Sequence, residues 1–79
     1  MKLIILQPEG VIFNGDVESV TLPGRKGRFT LLTRHAPLIS ILDKGFIKYH
    51  KFNSDVFDQL EINSGFVRVK KDLVTVCIN

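Results

Sequence analysis

A chain of 79 residues is sized for one domain spanning positions 1–79. At roughly 0.05–0.15 kcal/mol per residue it has little spare stability for a strained catalytic pocket. Its 44% hydrophobic content excludes disorder, no apolar run approaches the ~20 residues of a membrane helix, and one cysteine excludes an internal disulfide. The net charge of +3 is mild, so the placement of the cations matters more than their sum.

Helical periodicity is nearly absent, and turn dipeptides interrupt short Ile, Val, Leu and Phe runs every six to ten residues. That pattern predicts an all-β fold, a two-sheet β-sandwich or flattened barrel. The opening run reads as a strand over Lys2–Gln7, apolar enough to be covered on both faces, and lacks the cleavage site of a signal peptide. Pro8, Glu9 and Gly10 make a turn into a short strand over 11–13. Asn14 and Gly15 carry the strongest two-residue hairpin signal, since a type I′ turn needs φ > 0 at both positions. Residues 16–22 return as a strand with imperfect alternation: Val17, Ser19 and Thr21 on one face, Glu18, Val20 and Leu22 on the other. Further strands are expected at 29–32, 38–42, 46–52, 56–62, 66–70 and 73–78, with turns at 43–45, 53–55, 63–65 and Lys71-Asp72. The total is about nine strands. Phe46, Ile47, Tyr49 and Phe52 are candidates for core or interface.

Catalytic chemistry finds no foothold. His35, His50 and Cys77 are the only soft ligands and none is spaced like a zinc site, so no metal is expected. Cys77 lies in an apolar strand, where a free cysteine acts as a small buried hydrophobe. The carboxylates Glu9, Asp16, Glu18, Asp43, Asp55, Asp58, Glu61 and Asp72 fall in turns or on polar strand faces and form no acid/base pair. Gly24 to Arg28 is not a phosphate loop, because a strand rather than a helix follows it. No catalytic residue, cofactor or nucleotide site is expected.

The positive signal is the stretch 22–38, LPGRKGRFTLLTRHAPL. Arg25, Lys26, Arg28, Arg34 and His35 fall within eleven residues with no acid among them. One reading is a solvated loop; the other is a contact surface for an anionic partner. Exposed ion pairs give only about 0.2–1 kcal/mol each, so such charges orient a partner and apolar contact must hold it. Pro37 restricts Ala36 to extended geometry, which stiffens the loop.

The chain resembles the N-terminal β-sandwich domain of the F-type ATP synthase epsilon subunit. The residues that carry the resemblance are Pro8-Glu9-Gly10, Phe13, Gly15, positions 17–24 (VESVTLPG), Gly27 and Phe29. They continue with His35-Ala36-Pro37-Leu38, Gly45, Ser64-Gly65-Phe66-Val67, Val69 and Val74-Thr75-Val76, nearly end to end and in the family's order. The resemblance implies a sandwich of about ten strands at the foot of the central stalk, one side on the gamma subunit and the bottom edge on the c-ring loops. It implies a rotor subunit, peripheral on the cytoplasmic face of the inner membrane, that couples c-ring rotation to the catalytic head without doing chemistry. Carried over, the ring-facing residues are Lys26, Gly27, Arg28, Thr30, Arg34 and His35. Two departures stand out. The family usually has glutamates where this chain has Lys26 and Arg28, and glycine or proline-glycine where it has Thr30 and Thr33-Arg34. Family members also commonly continue into two C-terminal helices that inhibit hydrolysis, so a chain stopping at Asn79 is expected to lack that switch. The alternative reading is a small β-barrel that binds nucleic acid or another anion through 25–35; for the stalk reading no nucleic acid is expected.

Overall fold

The computed structural model describes residues 1–79. It is all strand: β1 (Lys2–Gln7), β2 (Gly10–Gly24), β3 (Gly27–Leu32), β4 (Leu38–Leu42), β5 (Gly45–Lys51), β6 (Phe57–Ile62), β7 (Gly65–Lys70) and β8 (Leu73–Ile78). Eight strands rather than nine result because the two short strands expected around Asn14 and Gly15 are one.

The organising element is β2. A straight strand of 15 residues would span about 50 Å, but the longest extent of the molecule is 29 Å, so β2 must curl. Its first half pairs antiparallel with β1, Lys2 opposite Asp16 and Gln7 opposite Gly10. Its second half pairs with β5 on one edge and β3 on the other. The hand-over lies at Asp16 and Val17: the Val17 N–H donates back to the Met1 carbonyl, while the Asp16 carbonyl accepts from Phe52. One layer is therefore β2–β1–β8–β7–β4 and the other β6–β5–β2–β3, with β1 and β8 parallel. A single pairing, Gly24 with Leu42, closes the circuit between β2 and β4. This is the flattened barrel, or two-layer sandwich, that the turn spacing predicted.

Asn14 and Gly15 do not turn. Neither has φ > 0, and both sit in the β1 ladder opposite Ile4 and Leu3. Local turn preference yields to a continuous ladder. Gly15 serves a different purpose: a Cβ there would lie 3.0 Å from Phe13 Cζ, so its bareness seats the Phe13 ring, which packs 4.6 Å from Tyr49. The left-handed two-residue turn instead falls at Lys71 and Asp72, φ 50° and 61°, between the paired Lys70 and Leu73.

The core holds fifteen buried side chains, including Leu3 and Ile5 of β1, Val67 and Val69 of β7, and Val74, Val76 and Ile78 of β8. Each fully buried aliphatic side chain contributes about 1.5–3 kcal/mol. The ragged alternation of β2 has a cause. The β5 register shifts between Val17 and Ser19, a bulge that absorbs Glu18, so Val17, Val20 and Leu22 all point inward. The opening strand is not covered on both faces, for Ile4 and Leu6 are only half-buried on its outer side. Ile47 and Tyr49 are core, whereas Phe46 and Phe52 are exposed. Burial raises the Tyr49 phenol pKa, the Asp58 carboxylate adds to the rise, and Lys51 opposes it.

Candidate functional site: the β2–β3 hairpin and the β3–β4 loop

Gly24 pairs with Gly27, leaving Arg25 and Lys26 as the two residues of the β2–β3 turn. Gly27 has φ 127°, a conformation that side-chain-bearing residues rarely adopt. Gly24 is bare for a different reason: a Cβ would lie 2.7 Å from both the Gly27 carbonyl and the Phe29 ring. The hairpin is pinned to the neighbouring layer, since the Arg25 N–H donates to the Ile41 carbonyl at 3.0 Å and the Asp43 N–H to Pro23 at 2.9 Å. The Arg25 guanidinium adds an ion pair to Asp43 at 3.2 Å. That pair is exposed and worth at most about 1 kcal/mol.

Lys26 and Arg28 are exposed and make no ion pair, so the tip is cationic. Beyond it, Arg28 stands opposite Pro23, and the Thr30 and Thr21 hydroxyls hydrogen-bond across the strands at 2.9 Å. A groove of about 610 Å³ runs between the hairpin and β4, lined by Arg25, Lys26 and Arg28 on one side and Ile39 and Ile41 on the other. Ile39 is 74% exposed, so the groove offers the apolar contact that the charges alone do not supply.

The structure does not gather the six sequence-selected residues into one lip. Lys26, Gly27, Arg28 and Thr30 belong to the hairpin. Arg34 and His35 follow the far end of β3, about 20 Å of strand from Gly27. There the Arg34 N–H donates to Asp72 Oδ1 at 3.1 Å and the His35 N–H to the Leu32 carbonyl. Arg34 has φ 66°, and the His35 ring Nδ1–H donates to the Ala36 carbonyl at 2.7 Å. The loop is held as the Ala36-Pro37 pair suggested, but it is held against the β7–β8 turn.

Sequence reasoning missed an apolar row across the outer face of the first layer. Ile41 stands opposite Phe66, Phe66 opposite Cys77, Cys77 beside Leu6, and Leu6 opposite Val11. Cys77 is thus a half-buried member of an outer face, not of the core. Alternation within each strand was legible, but the row exists only through strand order. A second apolar cluster, Phe52, Val56 and Phe57, is exposed at the β5–β6 connection, where His50 stacks on Phe57.

Comparison with known proteins agrees with this architecture. The family model for the ATP synthase delta/epsilon chain β-sandwich domain matches residues 1–79. An ATP synthase epsilon chain of Sulfurovum sp. is 44% identical over 79 residues, all of this chain and 61% of that protein. One from Wolinella succinogenes is 46% identical over 76 residues, 96% of this chain and 56% of that one. The chain thus spans about three fifths of the length of these relatives. Among solved structures, a chain of the Tetrahymena thermophila mitochondrial ATP synthase central stalk and c-ring superposes with TM-score 0.83 over 99% of this chain and 62% of that one, at 14% identity. A chain of the Euglena gracilis mitochondrial ATP synthase assembly of OSCP, F1 and c-ring gives 0.86 at 20% identity, over 96% of this chain and 48% of that one. At such identities the superpositions speak for the fold alone; with the family match and the epsilon-chain relatives, this chain belongs to the ATP synthase delta/epsilon chain β-sandwich domain family.

Proposed function

We propose that this chain works as a central-stalk subunit of an F-type ATP synthase, coupling c-ring rotation to the gamma subunit and the catalytic head. The observation that carries the reading is 44% identity, over all of this chain, to three fifths of an epsilon chain. The role is mechanical. A pinned hairpin with a cationic tip and an apolar groove beside it suits a fixed contact. Within the complex the chain lies peripheral to the membrane, on the cytoplasmic face.

The hairpin is the ring-facing edge, through Lys26, Gly27, Arg28 and Thr30. Arg34 and His35 follow at the other end of the same edge strand, β3, and would extend that contact along it. Where the family resemblance implies glutamates, Lys26 and Arg28 reverse the sign, which calls for a ring loop that is less basic, or acidic. Nucleic-acid binding through 25–35 is the weaker reading: the cations are split between two ends, and Phe29, the only aromatic within the stretch, is half-buried.

Co-purification tests the proposal. Affinity-tagged chain expressed with the gamma and c subunits should bring down both, and its loss should uncouple ATP hydrolysis from proton pumping. Recovery of neither subunit would end the reading.

A further inference from the structure

The β7–β8 hairpin carries a second cationic surface outside the stretch 22–38. On β7 the core-facing residues are Val67 and Val69, which turns Arg68 and Lys70 outward. On β8 and β1 the same alternation turns Leu73, Thr75 and Lys2 to the same face. The ladders align them: Lys70 opposite Leu73, Leu73 beside Lys2, and Arg68 opposite Thr75. With strands about 4.8 Å apart, Lys70 and Lys2 flank Leu73 at about 10 Å, and Arg68 lies about 7 Å along β7 from Lys70. Lys71 extends the group at the turn. A groove of about 320 Å³ runs among Arg68, Lys70, Lys71, Leu73 and Thr75.

None of these four cations has an ion-pair partner. Two acids border the group: Asp16 stands opposite Lys2 in the β1–β2 ladder, and Asp72 at the turn is committed elsewhere. One of its oxygens accepts from the Arg34 N–H, and the other lies 3.4 Å from the Met1 ammonium. Arg68, Lys70 and Lys71 lie within about a Debye length of one another and repel, so the surface costs stability when empty. Leu73, 37% exposed, gives it an apolar floor.

We propose that this face of β7, β8 and β1 docks an acidic, extended segment of a protein partner. An extended segment with carboxylates at alternate positions presents them about 7 Å apart on one side, the spacing of Arg68 and Lys70. Its intervening backbone lies over Leu73, and the Thr75 hydroxyl is available as a donor. Single-stranded nucleic acid fits less well, because no aromatic side chain lines the groove to stack on a base. The surface is separate from the β2–β3 hairpin, so it stands or falls independently of the ring contact.

The test uses the full chain and fluorescence anisotropy at low ionic strength. The probes are a labelled peptide of alternating glutamate and serine, the same peptide with lysine for glutamate, and a labelled oligothymidylate. The glutamate peptide should bind and the lysine peptide should not. Arg68→Glu with Lys70→Glu should weaken binding by at least about tenfold, while Lys26→Glu changes it less than about twofold. Should the double reversal fail to fold by circular dichroism, Arg68→Gln with Lys70→Gln replaces it, with a several-fold loss expected. Equal losses from Lys26→Glu, unchanged affinity in the double variant, or tighter binding of the oligothymidylate would overturn the proposal.

Discussion

The backbone N–H of Arg34 donates to the carboxylate of Asp72 at 3.1 Å, joining two loops that lie 38 positions apart in the chain. Through this bond the β3–β4 loop, the β7–β8 turn and the chain's first residue share one acidic group.

That sharing sets a pH dependence. The hydrogen bond from Arg34, and after it the Met1 ammonium, hold the Asp72 pKa below its ordinary value. A depressed carboxylate contributes stability that is present above its unfolded pKa, about 3.9, and is lost as pH falls through the folded value. Asp72→Asn keeps the left-handed turn and an acceptor oxygen while removing the charge. Urea midpoints of the two proteins should differ near neutrality, with the variant lower, and converge in acid. A gap that persists at the lowest pH would refute the linkage.

The burial of β3 alternates, which makes a paired experiment. Leu31 is fully buried and Leu32 is 60% exposed. Leu31→Ala should cost about 2–5 kcal/mol, against a total of only about 4–12 kcal/mol for a chain this size. Leu32→Ala should change stability by less than about 0.5 kcal/mol. Chemical denaturation separates the two, and similar losses would mean that the register of β3 is misplaced.

At Asn14 the outcome discriminates strand from turn. The residue is exposed and sits opposite Ile4 in the β1 ladder. Asn14→Thr should therefore stabilise, by up to about 1 kcal/mol, because threonine favours the pleated conformation. Were residues 14 and 15 a type I′ turn, the β-branched side chain would destabilise instead.

Arg28→Glu gives the hairpin the charge that the family resemblance implies for it. If the ring loop here has compensated, the variant should reduce recovery of c-ring with the tagged stalk several-fold, more so at low salt. Unchanged or improved recovery would count against compensation.

Most of the strand layout was legible from turn residues and alternation, since both are local. Seven of the turn-bounded segments were placed to within a residue or two. At Asn14 and Gly15 a local turn preference loses to the ladder with β1, and the ragged alternation of 16–22 is the visible trace of a bulge. The cationic stretch was legible as composition but not as a place, because its members ride on both ends of one strand. Arg68 and Lys70 alternate with Val67 and Val69 in the sequence, but only the ladders bring them beside Lys2.

What the sequence determines by itself is the class of structure, the inward-facing side chains of most strands and, through its motifs, the family. These follow from interactions between residues near one another in the chain. Strand order is different. That β1 lies beside β8, that β2 serves both layers, and that Asp72 reaches Arg34 and Met1 are decided by which apolar faces can be buried together. That choice depends on the whole set of strands at once, so only the tertiary structure reveals which surface side chains become neighbours.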